Sequence, residues 1–232
     1  MDNWPRVELD VRITADQRSR RAETDFPPIT QLIEYFLRSN ASLSLTRSAG
    51  QQEAQHVSIK AHDHKSVVTF DHVFLEATEI TGYSSVKLFV QALQFPDVDL
   101  FVAIQKLDKD GQEVKFYHST QQLEASASFG WLRVSHRELD VSQSTPERPV
   151  HSHQRRQWLR PGDVNEVEIE LWPSSTLWEA GETLRLAIKG TTFTNPENLT
   201  QFKGPSHSFG EVRIWYGGDY DSRILVPHRT EA

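Results

Sequence analysis

The 232-residue chain contains no cysteine and no long apolar run, and each absence excludes whole classes of protein. Without cysteine there is no disulfide framework, no thiolate zinc site, no iron–sulfur cluster and no cysteine nucleophile. No apolar stretch approaches the roughly 18–20 residues that a bilayer-spanning helix needs. Methionine occurs only at position 1, which favours a natural reading frame over an excised fragment.

An excess of basic charge is also missing. Asp and Glu number 32 against 25 Lys and Arg, and the formal net charge is −7. With no long basic run, we expect no nucleic-acid partner. The first five residues, MDNWP, lack both the basic and the apolar region of a signal peptide, so we expect a cytoplasmic protein with no membrane association. Hydrophobic residues make up 37%, enough for a sizeable core.

Short segments that alternate apolar and polar residues recur along the chain, as half-buried β-strands do. The clearest are Val7–Ile13, Asn165–Trp172 and Thr183–Ile188. Asp110–Gly111 predicts a hairpin turn between the apolar run Leu100–Ile104 and a return strand at Val114–Tyr117, because a type I′ turn needs positive φ. Helical periodicity is nearly absent. The pattern therefore predicts an all-β antiparallel sandwich.

The division of the chain into domains has weaker signals in the sequence than the strands do. Ile29–Leu37 follows Pro27 and Pro28 and fits either a helix or a strand. We interpret residues 1–50 as an N-terminal extension packed on a sandwich of residues 51–232, the two forming one structural unit. Two long connections, residues 137–161 and 191–208, carry several prolines. Loops of this length in a compact domain are commonly functional.

Ordered motifs over nearly the whole chain resemble the C-terminal β-sandwich of the cocaine esterase/X-Pro dipeptidyl-peptidase (CocE/NonD) hydrolases. The motifs are Gly130–Asp140 (GWLRVSHRELD), Thr145–Pro149, Glu168–Ser175, Ala180–Leu186 and Gly217–Ser222. The resemblance implies a jelly-roll sandwich of the galactose-binding type with long loops. In that family the Ser–Asp–His triad belongs to a separate α/β-hydrolase domain. This sequence has no G-x-S-x-G nucleophile elbow, so we expect the sandwich to occur without that domain.

Histidine pairs are the first candidates for chemistry. His62 with His64, and His151 with His153, are two residues apart, which on a strand places both rings on one face. A metal site needs a third ligand and an outer shell of supporting groups. We therefore interpret them as loop histidines and expect neither a metal nor another cofactor. The resemblance implies that His136 holds the long loop in place, and a substrate-binding role for His136 stays open.

Aromatic residues are the second set of candidates. Trp131 and Trp172 lie in family-like strands and are predicted to be in the core. Trp215 and Tyr216 are adjacent, so one should be in the core and the other available to a pocket. Tyr117 and His118 are the candidate catalytic groups. The candidate substrate-binding residues are Trp158, Trp215, Tyr216, His136 and His153.

Two functional hypotheses of different class remain. In the first, the sandwich binds an apolar small molecule and catalyses a non-hydrolytic step of secondary metabolism. A cyclisation or cycloaddition of hetero-Diels–Alder type fits, because orientation alone can supply roughly 7–11 kcal/mol. The alternative is a non-catalytic binding or oligomerisation module, or an accessory subunit of a CocE-type hydrolase. The face that packs on the hydrolase domain in relatives would then mediate a homodimer. A closed aromatic cavity favours the first hypothesis, and a filled sandwich favours the second.

Overall fold

The computed structural model describes residues 4–47, 53–118, 123–193 and 209–229, which are almost entirely β-structure. The strands are β1 (Val7–Arg12), β2 (Arg18–Glu23), β3 (Thr30–Leu37), β4 (Leu43–Ser44), β5 (Gln55–Lys60), β6 (Val67–Val73), β7 (Thr78–Ala92), β8 (Asp99–Leu107), β9 (Glu113–Val114), β10 (Phe116–His118), β11 (Leu123–Ala125), β12 (Ser128–Arg133), β13 (Val164–Trp178), β14 (Thr183–Lys189), β15 (Glu211–Tyr216) and β16 (Arg223–Arg229). A 3-10 turn spans Val134–His136. Within these ranges no helix has the length and apolar character to cross a bilayer.

Two sheets and one hairpin contain all of these strands. The larger sheet has the order β2-β1-β13-β7-β16-β3-β4, and β15 joins it by pairing with both β7 and β5. The smaller sheet has the order β12-β8-β14-β6, with β9 paired to β8. Strands β10 and β11 form a separate hairpin. Every pairing between these strands is antiparallel except that of β1 with β13, and an isolated bridge of Ser42 with Asp71 is also parallel. The prediction of an all-β sandwich is confirmed.

The core between the two sheets follows from the alternation of the strands. In β7 the buried positions include Val86, Leu88 and Val90, and in β8 they include Leu100 and Val102. Side chains from both sheets form one continuous hydrophobic cluster. The interior is therefore filled by the protein's own side chains, as close packing requires.

Local expectations can now be compared with the structure. The ambiguous segment Ile29–Leu37 is a strand, β3, which pairs with β16. The predicted hairpin turn is present, since Gly111 has φ of 81° and Lys106 pairs with Val114 across it. The first four strands all join the larger sheet. The predicted boundary at residue 50 falls within residues 48–52, outside the described part of the chain.

A lysine occupies an inward-facing position of β8. Leu100, Val102 and Ile104 point into the core, and Lys106 is next in that series, with no exposed side-chain surface. Its ammonium group donates to the carbonyl oxygens of Ile13 (2.7 Å) and Leu177 (2.8 Å) and lies 2.8 Å from a carboxylate oxygen of Glu182. Because Leu177 lies on β13 and Ile13 directly follows β1, both in the larger sheet's half of the sandwich, this one side chain links the two sheets.

Replacing Lys106 with Met is expected to lower the free energy of unfolding by about 3–5 kcal/mol, because it leaves a buried carboxylate and two buried carbonyls without their donor. Urea unfolding measures the change. Lys109→Met is the matched control: its ion pair with Glu179 is exposed, so the loss should be below about 1 kcal/mol. Adding Glu182→Gln to the Lys106 variant should recover part of the loss. Equal effects of Lys106→Met and Lys109→Met would contradict the structural role of the buried ammonium.

A second buried polar group lies where β3, β6 and β16 meet. The Tyr35 hydroxyl is 3.2 Å from Nε2 of His228, and its ring lies 4.5 Å from that of His72, centroid to centroid. Burial and, to a smaller extent, the nearby His72 lower the pKa of His228 to about 4. Burial also raises the pKa of Tyr35 to about 12. Both rings are therefore neutral in the folded protein near pH 7.

The His228 ring should make the fold sensitive to mild acid. Between about pH 6.5 and pH 4 the unfolded chain binds a proton at this histidine and the folded chain does not, so stability falls as the pH falls through that window. Each unit of pKa shift corresponds to about 1.4 kcal/mol. Allowing for the partial exposure of the ring, we expect a loss of about 2 kcal/mol. Urea unfolding at pH 7 and pH 4 should show this loss, and His228→Gln should lack it. An identical pH dependence in both proteins would contradict the assignment.

Candidate functional site

Three aromatic rings form a cluster on the surface at one corner of the sandwich, which we call the aromatic corner. Phe129 and Trp131 lie on β12 and Trp172 lies on β13. The Phe129 and Trp172 centroids are 4.7 Å apart, and those of Trp131 and Trp172 are 5.7 Å apart. Trp131 is 50% exposed and Trp172 is 44% exposed. Two half-exposed indoles in contact make an apolar surface patch, which is unusual for a soluble domain.

The prediction that Trp131 and Trp172 lie in the core is therefore wrong, and the reason lies in the approach of two strands. A Cβ atom on Gly130 would lie 1.9 Å from the carbonyl oxygen of Glu170, so β12 runs too close to β13 for any side chain between them. The inward positions of β12 hold Ser128, Gly130 and Leu132, and Trp131 alternates outward. Trp172 turns outward where the pairing of β13 with β7 shifts register.

Tyr117, a candidate catalytic residue, lines a surface cleft of about 320 Å³ that we call the Arg12 cleft. Its lining residues are Arg12, Thr14, Ala15, Asp16, Gln17, Arg18, Phe116 and Tyr117. The Tyr117 residue is 52% exposed, and Phe116 is buried beneath it. The side chain of His118 lies outside the described part of the structure. The catalytic roles of Tyr117 and His118 stay predictions.

The Arg12 guanidinium forms the floor of this cleft. It lies 4.5 Å from the centroid of the Phe116 ring. Its Nη2 donates to the carbonyl oxygen of Ala127 (2.6 Å) and to Oγ1 of Thr176 (3.1 Å), and Nε donates to the carbonyl oxygen of Ser175 (3.3 Å). All three acceptors are neutral. Burial lowers the pKa of Arg12, and the guanidinium makes no ion pair with a carboxylate in the described part of the chain.

The structure brings together two of the predicted substrate-binding histidines, at the start and the middle of the long loop. Nδ1 of His136 lies 3.5 Å from Nδ1 of His153, and the His151 ring is 6.0 Å from that of His153. Nε2 of His151 lies 3.0 Å from the carbonyl oxygen of Glu168, which ties the loop to β13. Burial lowers the pKa of His151, and the two neighbouring histidines act in the same direction.

The other predicted binding residues lie in separate places. Trp158 is 55% exposed and its ring contacts the guanidinium of Arg156. Trp215 is partly buried and donates from Nε1 to Oε1 of Gln91 (3.1 Å). Tyr216, the next residue, is 5% exposed and packs in the core. The predicted alternation of Trp215 and Tyr216 is therefore present, and no ring contact in the described residues joins Trp158 to Trp215.

The described residues hold no group of three or more His, Asp or Glu side chains placed to bind a metal ion. The two best-formed clefts both open at the surface. One is the Arg12 cleft, and the other, of about 470 Å³, lies between Trp4 and the β1–β2 pair. Neither is lined by Trp158, Trp215 or Tyr216.

Sequence reasoning missed Arg12 and Phe129. Arg12 shares the outward face of β1 with Glu8 and Asp10, and such a position predicts an exposed arginine paired with a carboxylate. Its burial depends on the β10–β11 hairpin, whose placement over β1 no local pattern signals. Phe129 could have been found from alternation, because it is two residues from Trp131 and must share its face.

The similarity to known proteins agrees with this architecture. A CocE/NonD family hydrolase from Staphylococcus aureus superposes with a TM-score of 0.92 at 31% identity, over 98% of this chain and 42% of that one. An aminopeptidase from a marine sediment Thaumarchaeota archaeon (15% identity, TM-score 0.68) and an α-amino acid ester hydrolase (14%, 0.66) share the fold. This chain covers 41% of each of these two proteins. No curated protein sequence matches.

The chain thus spans less than half the length of these solved proteins. Residues 1–224 match the family described as the X-Pro dipeptidyl-peptidase C-terminal non-catalytic domain. The match and the superposition confirm the resemblance that the ordered motifs imply. The chain therefore belongs to the X-Pro dipeptidyl-peptidase C-terminal non-catalytic domain family.

Proposed function

We propose that this sandwich is a docking module that packs on an α/β-hydrolase catalytic domain through the aromatic corner. The observation that carries the proposal is the contact of Trp131 with Trp172 while each stays about half exposed. The similar Staphylococcus aureus hydrolase supplies the occupant, because this chain covers only 42% of it. More than half of that hydrolase therefore lies outside the matched region and is available to cover such a surface.

The composition of the corner suits a protein interface. Large aromatic residues provide most of the binding energy in such contacts and are surrounded by polar groups that exclude water. Arg133 follows Trp131 on the same outward face of β12, and its guanidinium makes two hydrogen bonds to Asp99, of 2.7 and 2.9 Å. The ion pair holds Arg133 beside the rings as part of a polar rim. The Gly130–Asp140 motif thus contributes an apolar anchor and its flanking charge.

The cyclisation hypothesis finds less support. It requires an apolar cavity that encloses a substrate, whereas the space between the sheets is filled and the best-formed clefts are open. The docking proposal also differs from a homodimer, in which a second copy of this chain would cover the corner. We keep a cytoplasmic location and the lack of a nucleic-acid partner as expectations from the sequence.

The docking proposal predicts that a chimaera will fold as one unit. In the chimaera, this chain replaces the matched 42% of the Staphylococcus aureus hydrolase. We expect a single calorimetric unfolding transition and retained hydrolase activity. Trp131→Ser and Trp172→Ser should each weaken the contact by about 1–3 kcal/mol, the cost of truncating an interface aromatic. In the chimaera these variants should split or lower the transition, and in the isolated sandwich they should shift it little, because exposed positions tolerate substitution.

Trp158→Ser is the matched control, because Trp158 is 55% exposed and makes no ring contact with the aromatic corner in the described residues. It should leave the chimaera's transition unchanged. Equal effects of Trp158→Ser and Trp131→Ser would contradict the proposal, as would two independent transitions in the parent chimaera. Light scattering of the isolated chain tests the remaining alternative, a homodimer. If the chain is a dimer and Trp131→Ser dissociates it, a second copy of this chain covers the aromatic corner, and docking on a hydrolase is contradicted.

A further inference from the structure

Arg12 differs from most of the partly buried arginines of this sandwich. Arg21, Arg133, Arg185 and Arg223 each lie 2.6–2.7 Å from a carboxylate oxygen, whereas Arg137, like Arg12, donates to backbone carbonyls, but it does not line the cleft. Arg12 is also partly buried, yet in the described residues it has no carboxylate partner, and its hydrogen bonds go to two carbonyls and one hydroxyl. A buried charge is normally paired, because desolvation of an unpaired ion is costly.

The geometry leaves one edge of the guanidinium available. Its Nε and Nη2 are used by the bonds to Ser175, Ala127 and Thr176, whereas Nη1 makes no hydrogen bond in the described part of the chain. Nη1 is not fully buried, so it reaches solvent. Because Arg12 lines the cleft, we place this open donor on the cleft side.

We propose that the Arg12 cleft is a binding site for a carboxylate attached to a small apolar group. The carboxylate would accept a charge-assisted hydrogen bond from Nη1, the strongest type available to a neutral-pH ligand. The apolar group would lie against the exposed ring of Tyr117. A volume of about 320 Å³ is at the lower end of the range for small-molecule sites, which limits the ligand to a few carbon atoms beyond the carboxylate.

The remaining wall of the cleft limits the negative charge that a ligand can carry. Asp16 lines the cleft and makes no ion pair in the described residues, so it opposes any anion and opposes a doubly charged one more strongly. Arg18 also lines the cleft, but its Nε is 3.6 Å from a carboxylate oxygen of Asp10. That carboxylate offsets much of the positive charge of Arg18. A phosphate, with close to two charges, is therefore disfavoured relative to a carboxylate.

A purely structural role for Arg12 explains only part of its surroundings. The bonds from Nε and Nη2 hold β1 against β13 and against the segment before β12. They do not account for the open Nη1 or for an aromatic wall beside it. Two sources could supply the carboxylate: a free small acid, or an Asp or Glu side chain of a docked protein. The chemistry is the same for both, and the inference does not depend on the docking proposal.

The test is a titration of the whole chain with hexanoate and, separately, with hexanamide, which has the same shape without the charge. Nuclear magnetic resonance follows the Arg12 Nε–H and the Tyr117 amide. We expect saturable shifts at these two groups, with hexanoate binding about tenfold tighter than hexanamide. Asp16→Asn should strengthen hexanoate binding about two- to threefold by removing a like charge. Arg12→Gln should abolish it, with Arg20→Gln, an exposed arginine on β2, as the matched control.

Each outcome is decisive. Equal affinity for hexanoate and hexanamide, or no saturable shift with any acid, would overturn the proposal. If Arg12→Gln fails to fold, the Asp16→Asn result and the hexanoate–hexanamide comparison still decide it. A capped Gly-Asp-Gly peptide, compared with Gly-Asn-Gly, identifies the source of the carboxylate. Binding of hexanoate alone indicates a free acid, and binding of the Asp peptide alone indicates a protein side chain. Neither experiment uses the aromatic corner, so failure here is distinct from failure of docking.

Discussion

The buried ammonium group of Lys106 is the contact on which the surrounding structure depends. It stands in a row of apolar side chains on β8 and reaches across the core to the carbonyls of Ile13 and Leu177. Ile13 directly follows Arg12, and Leu177 directly follows Thr176, one of the acceptors of Arg12. The hydrogen bonds from the Lys106 ammonium therefore end on residues adjacent to Arg12 and to one of its acceptors. The core contact and the surface cleft are connected through neighbouring residues of the backbone.

The fold could be largely predicted from the sequence because strand alternation and turn chemistry are local signals. The hairpin at Asp110–Gly111 needed only the conformational freedom of one glycine. What alternation cannot provide is the choice between the two faces of a strand. The sequence predicts a core position for Trp131 because it lies in a family-like strand, yet the inward position next to it is held by Gly130. The backbone of β13 occupies that space, and its position there depends on tertiary packing and not on the local sequence.

The candidate site was less accessible to sequence reasoning than the fold. His136 and His153 were singled out as residue types, and the structure brings them together, but their contact depends on the path of the loop. Trp158 is a candidate because it lies in the long loop and Trp215 because it alternates with Tyr216, and the two make contacts with different partners. Arg12 was passed over because its outward position on β1 indicated solvent, and the hairpin that covers it is distant in sequence. Chemistry that arises from long-range packing leaves little trace in local patterns.

The absence of a side chain at Gly130 has a consequence for how this sandwich meets other proteins. Strand β12 ends its sheet, and an open terminal strand can recruit a foreign strand and seed aggregation. Here the carbonyl of Glu170 lies against the inward face of Gly130, so β12 runs directly over β13. This close approach brings the outward rings of Trp131 and Trp172 into contact beside the edge of the sheet, so a partner at this corner meets ring faces and charges, which discriminate among surfaces, next to the terminal strand.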